Sequence, residues 1–354
     1  MPPGSAVKRR ASAEGTYYEL TAAEADTIAA ATAELHAMCI AAVGRVIRDR
    51  RYREVGLDPL SAQLVERSWN RRDPALYGRM DLAFGPDGVP KLLEYNADTP
   101  TSLLEAAVTQ WTWLEACAKG DQANALHEQL IARWRALRPR LGPLVHFAYV
   151  DDLDDQRTVD YLRDTAHQAG LETAAIEITA LGFDPATRHL IDLEGRTITS
   201  LFKLYPWEGL VTDTLAPALI ELPTLWLEPA WKLVLSNQAI LPILWQLFPG
   251  HPNLLPAARE LGPAIGEAWV KKPLLGREGS NVTIRAPGVT EATAGPLVER
   301  GFVYQSYTDL GAHDGMYPVI GSWLVGDVPA GIGIRETPSR ITGPTARFVP
   351  HVIA

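Results

Sequence analysis

The stretch RMDLAFGPDGVPKLLEYNADTPTSLLE, residues 79–105, decides how the rest of the chain is read. Apolar and polar residues alternate on both sides of the Gly85-Pro86-Asp87-Gly88 cluster, which predicts two strands, Gly78–Phe84 and Val89–Asn96, joined by a turn. Strand side chains alternate between faces, so Arg79 and Asp81 share one face while Met80, Leu82 and Phe84 take the other. Glu94 and Asn96 fall together in the same way. A hairpin closing around Pro86-Asp87 sets Arg79 roughly opposite Glu94 and Asp81 roughly opposite Leu92. Two carboxylates, a carboxamide and a guanidinium then crowd one surface, which is costly without a ligand. Asp81, Glu94 and Asn96 supply oxygen donors suited to a hard cation such as Mg2+, whose remaining positions go to water and substrate phosphates. Taken alone, the same pattern also fits a solvent-facing polar strand with an incidental salt bridge. Next comes Ser102-Leu103-Leu104-Glu105, with the spacing of a helix capping box. A helix N-terminus is therefore expected beside this surface, where an anion is favourable.

The 354 residues allow one large or two medium domains, and 47% hydrophobic with 21% charged residues is ordinary for a soluble globular protein. A net charge of −9 argues against a general nucleic-acid binder and leaves room for a local basic pocket. Cys39 and Cys117 are the only cysteines, which excludes a disulfide framework and a cysteine-based zinc site. Residues 1–15, MPPGSAVKRRASAEG, read as a flexible tail without the apolar core of a secretory signal. No uninterrupted apolar run approaches a membrane span, so a cytoplasmic protein with no membrane partner is expected.

Thr21-Ala22-Ala23-Glu24 offers a capping box for one long helix through Arg50, and Ser61–Asn70 predicts a second. After the hairpin, Ser102–Lys119 and Gln122–Leu137 read as helices, so residues 16–140 form a unit of helices plus the metal-ready hairpin. Pro139–Pro143 breaks the pattern. Val145–Val150, Asp155–Ala169 and Glu172–Ile178 then make a strand–helix–strand unit, which places an αβ subdomain at residues 141–205. Asp151, Asp152, Asp154 and Asp155 read as a solvated loop capping that helix. His146, His167 and His189 lack a ligand spacing. Residues 206–354 hold the remaining signals. Glu228–Phe248 reads as helical segments interrupted at Pro242. Ala268–Pro273, the loop Leu274–Ser280 and Asn281–Arg285 form a strand–loop–strand flap able to close on phosphates. Phe302–Tyr307, Val319–Val325 and Ala330–Ile334 read as strands, the last leading into Arg335-Glu336. Read from the residues alone, Glu208 after Pro206-Trp207 fits an exposed loop glutamate, and Arg335 a strand-end salt bridge with Glu336.

These motifs, in this order and over most of the chain after the first helix, resemble the synthetase domain of the glutathionylspermidine synthase family. The resemblance implies an ATP-grasp fold of mixed α+β and α/β character with the αβ subdomain adjacent or inserted. Only the synthetase half is expected, since the chain lacks the length and the Cys/His segment of the thiol-amidase domain that some members carry. The resemblance further implies an ATP-dependent carboxylate–amine ligase forming an amide through an acyl phosphate, with two Mg2+ ions on Asp81, Glu94 and Asn96. Arg79 and Arg335 hold anionic oxygens as catalytic groups. Arg79, Asp81, Lys272, Arg277, Gly279 and Gln305 belong to the ATP site, and Thr99, Thr101 and Glu208 to the substrates, a small-molecule or peptide carboxylate and an amine such as a polyamine. The family usually reads Asn-Lys-Ala where this chain has Asn237-Gln238-Ala239, so Gln238 takes the place of a phosphate-facing lysine. An uncharged amide there motivates two alternatives, a catalytically weakened nucleotide- or metabolite-binding protein and a small-molecule kinase.

Overall fold

The strand Tyr77–Phe84 is buried along its whole length because it lies inside an antiparallel sheet of order Arg347–Val349, Val328–Thr337, Tyr317–Val325, Tyr77–Phe84, Pro90–Asn96. The computed structural model describes residues 7–12, 15–117, 120–296 and 301–354. The hairpin forms as expected, with a different register. Leu82 faces Leu92, Asp81 faces Glu94 and Arg79 faces Asn96, so Leu93 is an extra residue bulged out of the ladder. This corrects the pairs read from the sequence, Arg79 with Glu94 and Asp81 with Leu92. The bulge resets the alternation: Leu92 and Tyr95, three positions apart, both enter the core, and Glu94 and Asn96 stand beside Asp81.

The other face of the sheet carries Met80, Leu82, Ile320, Ile332 and Ile334 and is covered by the helix Ala22–Arg48. Ile28, Ala31, Leu35, Met38, Cys39, Ala42, Val43 and Val46 recur at the helical period and are buried against it, and Thr32 Oγ1 lies 2.6 Å from Ser322 Oγ. This helix is long and apolar enough to cross a membrane by composition; here half of its most apolar window is buried in the core. Its capping box forms, with Glu24 N–H on Thr21 Oγ1 and Thr21 N–H on Glu24 Oε2.

The box expected at Ser102 does not form. Ser102 adopts φ 69°, whereas a capping residue needs extended backbone to aim its hydroxyl at the first turn. The chain instead enters a π-helical turn, Glu105–Thr109, followed by the helix Gln110–Cys117, and the expected end at Lys119 lies outside the described residues. The expected break at Pro242 is also corrected. The break falls at residues 235–239, between the turn Ala230–Val234 and the helix Ile240–Leu247. Pro242 sits in the first turn of that helix, where no N–H is needed.

A second sheet, all parallel, has the order Leu225–Leu227, Ser200–Lys203, Leu144–Tyr149, Glu172–Glu177, with the helix Leu153–Gln168 as a crossover capped by Asp152. Its edge strand lies beyond the boundary at residue 205 drawn from the sequence. A third sheet, Ala257–Ala258, Phe302–Ser306, Trp269–Pro273, Thr283–Ala286, Val289–Ala292, carries the flap. Within the expected N-terminal tail, Lys8–Ser12 is a strand paired with Gly15–Leu20, which also pairs in parallel with His351–Ile353. Residues 1–6 and 13–14 of that tail lie outside the described residues.

Candidate active site

The three larger sheets meet around a cleft of about 920 Å3. The antiparallel sheet forms its floor. Gly321 pairs with Asp81 and Gly333, and a Cβ at Gly321 would lie 2.8 Å from Arg79 Cδ, so the glycine makes room for the arginine to lie across the sheet. Arg79 Nε and Nη2 donate to Asp81 at 2.6 and 3.2 Å, and Arg79 Nη1 donates to the Thr101 carbonyl. Arg335, two strands away on Val328–Thr337, donates to Asp81 Oδ2 at 2.6 Å. Glu336 points to the opposite face, toward Arg9, Tyr18 and Arg347, so no salt bridge joins it to Arg335. Burial alone would raise the Asp81 carboxyl; Arg79 and Arg335 outweigh it and hold it at about 2. Burial pulls Arg335 below the ordinary arginine value, with the neighbouring Arg79 charge adding to it.

Glu94 is held differently. Asn96 Nδ2 donates to its Oε1 at 3.1 Å and Gln238 Nε2 to its Oε2 at 2.8 Å, both neutral amides. A divalent cation at this spot competes with two guanidinium groups for Asp81 but only with amides for Glu94. The donor set of two carboxylates and a carboxamide fits a hard cation. Among the described residues no three His, Cys, Asp or Glu side chains converge on one metal position, so an ion here needs ligand oxygens from elsewhere, which is the habit of Mg2+.

Lys272, on the strand Trp269–Pro273, donates to the carbonyl of the bulged Leu93 at 2.7 Å and to Gln305 Oε1 at 2.9 Å; Gln305 Nε2 in turn donates to Leu92 O at 2.9 Å. The bulge that turns Glu94 into the cleft thus also offers Lys272 an anchor. Burial lowers the Lys272 ammonium, and Glu94 and Asp81 oppose that. Gly279 has φ 67°, and a Cβ there would lie 2.6 Å from Thr342 O, so the flap packs its backbone directly on the segment after Arg340. Arg277 reaches across to Glu208, Nη2 to Oε1 at 2.7 Å. Thr99 and Thr101 line the same cleft, so every site residue read from the sequence lies on its wall.

A pair absent from that reading is Asp98 with Lys203. Both are buried in contact, and Asp98 Oδ2 also accepts the Trp207 N–H at 2.9 Å, with the ammonium 5.0 Å from the Trp207 ring. Burial pushes Asp98 up and Lys203 down, and their contact opposes both shifts. The only signal was position: Asp98 sits between Asn96 and Thr99, and Lys203 three residues before Pro206-Trp207-Glu208. Glu208 Oε2, Ser236 Oγ, Gln238 Oε1 and Arg340 Nε are buried without a hydrogen-bond partner among the described residues, and all four residues line this cleft. Polar atoms left in this way are open to a ligand or to water.

Comparison with known proteins agrees with this geometry. Residues 5–354 match the family described as glutathionylspermidine synthase preATP-grasp. A Haemophilus influenzae protein provisionally named acid–amine ligase is 44% identical over 94% of this chain and 88% of its own length. Trypanothione synthetase of Crithidia fasciculata is 32% identical over 89% of this chain and 53% of its own length. The bifunctional glutathionylspermidine synthetase/amidase of Escherichia coli is 29% identical over 95% and 59%, so the chain spans little more than half of these two longer relatives. Among solved structures, a glutathione synthetase-like effector from Globodera pallida aligns with a TM-score of 0.57 at 13% identity, covering 98% of this chain and 93% of its own, a likeness of fold. The fold is therefore of the ATP-grasp type, and the chain belongs to the glutathionylspermidine synthase preATP-grasp family, among whose members are amide-forming ligases.

Proposed function

We propose that this chain is an ATP- and Mg2+-dependent carboxylate–amine ligase. The observation that carries the reading is the convergence of Asp81 and Glu94 with Arg79, Arg335 and Lys272 on one cleft wall. Glu94, Asp81 and Asn96 would hold one or two Mg2+ ions, with Glu94 the first to engage because only amides compete for it. When bound, Mg2+-ATP supplies the phosphoryl group that activates a carboxylate as an acyl phosphate and the charge that steadies it. Arg79 and Arg335 orient anionic oxygens from a fixed sheet, so they need little reorganisation. Lys272 and Gln305 present a preformed polar edge to the nucleotide, and Arg277 and Gly279 close the loop above it. Thr99 and Thr101 offer hydroxyls to a small-molecule or peptide carboxylate, and Glu208 offers an anion to an amine, with a polyamine suggested by the relatives' names. Two free thiols, one of them buried, are consistent with a cytoplasmic setting.

Gln238 favours a second reading, nucleotide binding without turnover, because its amide donates to Glu94 where a cationic side chain would have faced phosphate. Calorimetric titration with a nonhydrolysable ATP analogue, with and without Mg2+, followed by mass spectrometry of reactions with peptide carboxylates and polyamines, separates the cases. ADP with an amide supports the ligase, and ADP with a phosphoester a kinase. Binding without product supports the second reading, and absence of Mg2+-dependent binding rejects all three ATP-based readings.

A further inference from the structure

Glu208 is fixed at its backbone and loosely held at its carboxylate. The short helix Trp207–Leu210 begins on a backbone N–H that donates to Asp98, itself locked to Lys203, and the Trp207 indole N–H donates to Glu228 O at 2.9 Å. Trp207 is 1% exposed, so the residue before Glu208 cannot move without disturbing the core. The carboxylate itself uses one oxygen for Arg277 and leaves Oε2 buried without a partner.

Arg277 is the opposite case. It lies on the loop between the strands Trp269–Pro273 and Thr283–Ala286, and its side chain is 54% exposed. An ion pair with that much solvent access shifts an equilibrium by about fivefold or less, so a better-placed cation displaces the guanidinium at little cost. The loop backbone packs closely through Gly279 on Thr342, so the Arg277 side chain can leave Glu208 without unseating that contact. Glu208 thus stays in place and Arg277 is the partner that leaves.

We infer that Glu208 is a shared carboxylate, holding Arg277 until a cationic group of the acceptor amine takes its place, so that amine occupancy and the position of the Arg277 guanidinium are coupled. This inference rests on the ligase reading above. Released from Glu208, Arg277 adds a positive charge to the part of the cleft that holds Lys272, and an anionic nucleotide binds more tightly. By linkage, the nucleotide strengthens amine binding by the same factor.

The test is calorimetric titration of the nonhydrolysable ATP analogue with Mg2+ into wild type, Glu208→Gln and Arg277→Met, each with and without spermidine as a cationic probe. In wild type, spermidine tightens the analogue about fivefold. Glu208→Gln frees Arg277 permanently, so it binds the analogue about fivefold more tightly than wild type and no longer responds to spermidine. Arg277→Met binds it more weakly and is also insensitive. The coupling is overturned by analogue affinity in Glu208→Gln equal to wild type, by no spermidine effect in wild type, or by an effect that persists in either variant. An analogue that binds none of the three proteins with Mg2+ overturns the ligase reading and the coupling with it, whereas binding without coupling overturns the coupling alone.

Discussion

Lys203 donates to Asp98 across 105 residues of sequence, inside the protein, and so ties the end of the hairpin Tyr77–Asn96 to the C-terminal end of a parallel strand. Loops at such strand ends are where open α/β sheets present ligand-contacting groups. Removing one partner strands a buried charge, while removing both leaves only a polar void. Lys203→Met should cost about 3 kcal/mol or more, and the double variant with Asp98→Asn clearly less than the sum of the singles. Urea unfolding of the four proteins measures this; additive losses would mean that the two side chains act independently.

Glu94→Ala should lower the Mg2+-dependent part of nucleotide-analogue affinity on the order of 100-fold, because it removes the carboxylate that no cationic side chain already holds. The Mg2+-independent part should change little. Paired titrations with Mg2+ and with a chelator distinguish the two, and an unaltered Mg2+ response would move the cation away from the hairpin.

Gln238→Lys should strengthen analogue binding roughly tenfold. A lysine can keep the bond to Glu94 that Gln238 now donates and adds a unit charge in a site already shaped for anions. If turnover of any amide-forming pair rises as well, the glutamine restrains this enzyme's rate. Unchanged affinity would mean that position 238 serves Glu94 and not phosphate.

His351 sets an acid limit on stability. It is buried and accepts the Ala123 N–H on Nε2 at 3.0 Å, which leaves Nδ1 to donate to Gln110 Oε1 at 3.0 Å. Burial pulls its imidazole down to about 4 from the ordinary 6.5. The unfolded chain therefore takes up the proton first, and stability is full above about pH 6.5, falls as the pH drops toward 4, and then levels off for this group. The loss attributable to His351 is about 3 kcal/mol. Urea unfolding from pH 7 to 4 should show this slope in wild type and not in His351→Gln; equal slopes would assign the acid sensitivity to other groups.

Much of this arrangement was legible in local pattern. The alternation of Met80, Leu82 and Phe84 against Arg79 and Asp81 gave both faces of one strand, and the Thr21–Glu24 box gave the start of the longest helix. Register was the first thing the pattern could not fix. Nothing in Lys91-Leu92-Leu93-Glu94 distinguishes a strand with an extra residue from a regular one, because two leucines satisfy either phase. Ser102 failed as a cap because its backbone is set by the turn that carries Thr99 and Thr101 to the cleft wall, a tertiary demand that overrides a short motif. Asp98 with Lys203 and Glu208 with Arg277 were out of reach for another reason. Asp98 and Lys203 look like ordinary charges in their own segments, Glu208 and Arg277 were read singly, and only the folded chain brings each pair within bonding distance.

The bulge at Leu93 also separates the hairpin's own pairing from its service to the neighbouring strand Trp269–Pro273. Removing Leu93 would leave Leu92 opposite Leu82 and Glu94 opposite Asp81 in a regular ladder, with no change of phase up to Asn96. Tyr95 would stay in the core and Glu94 and Asn96 in the cleft, and what is lost is the Leu93 carbonyl that accepts from the Lys272 ammonium. The extra residue therefore moors the strand Trp269–Pro273 to the hairpin without taking part in its ladder.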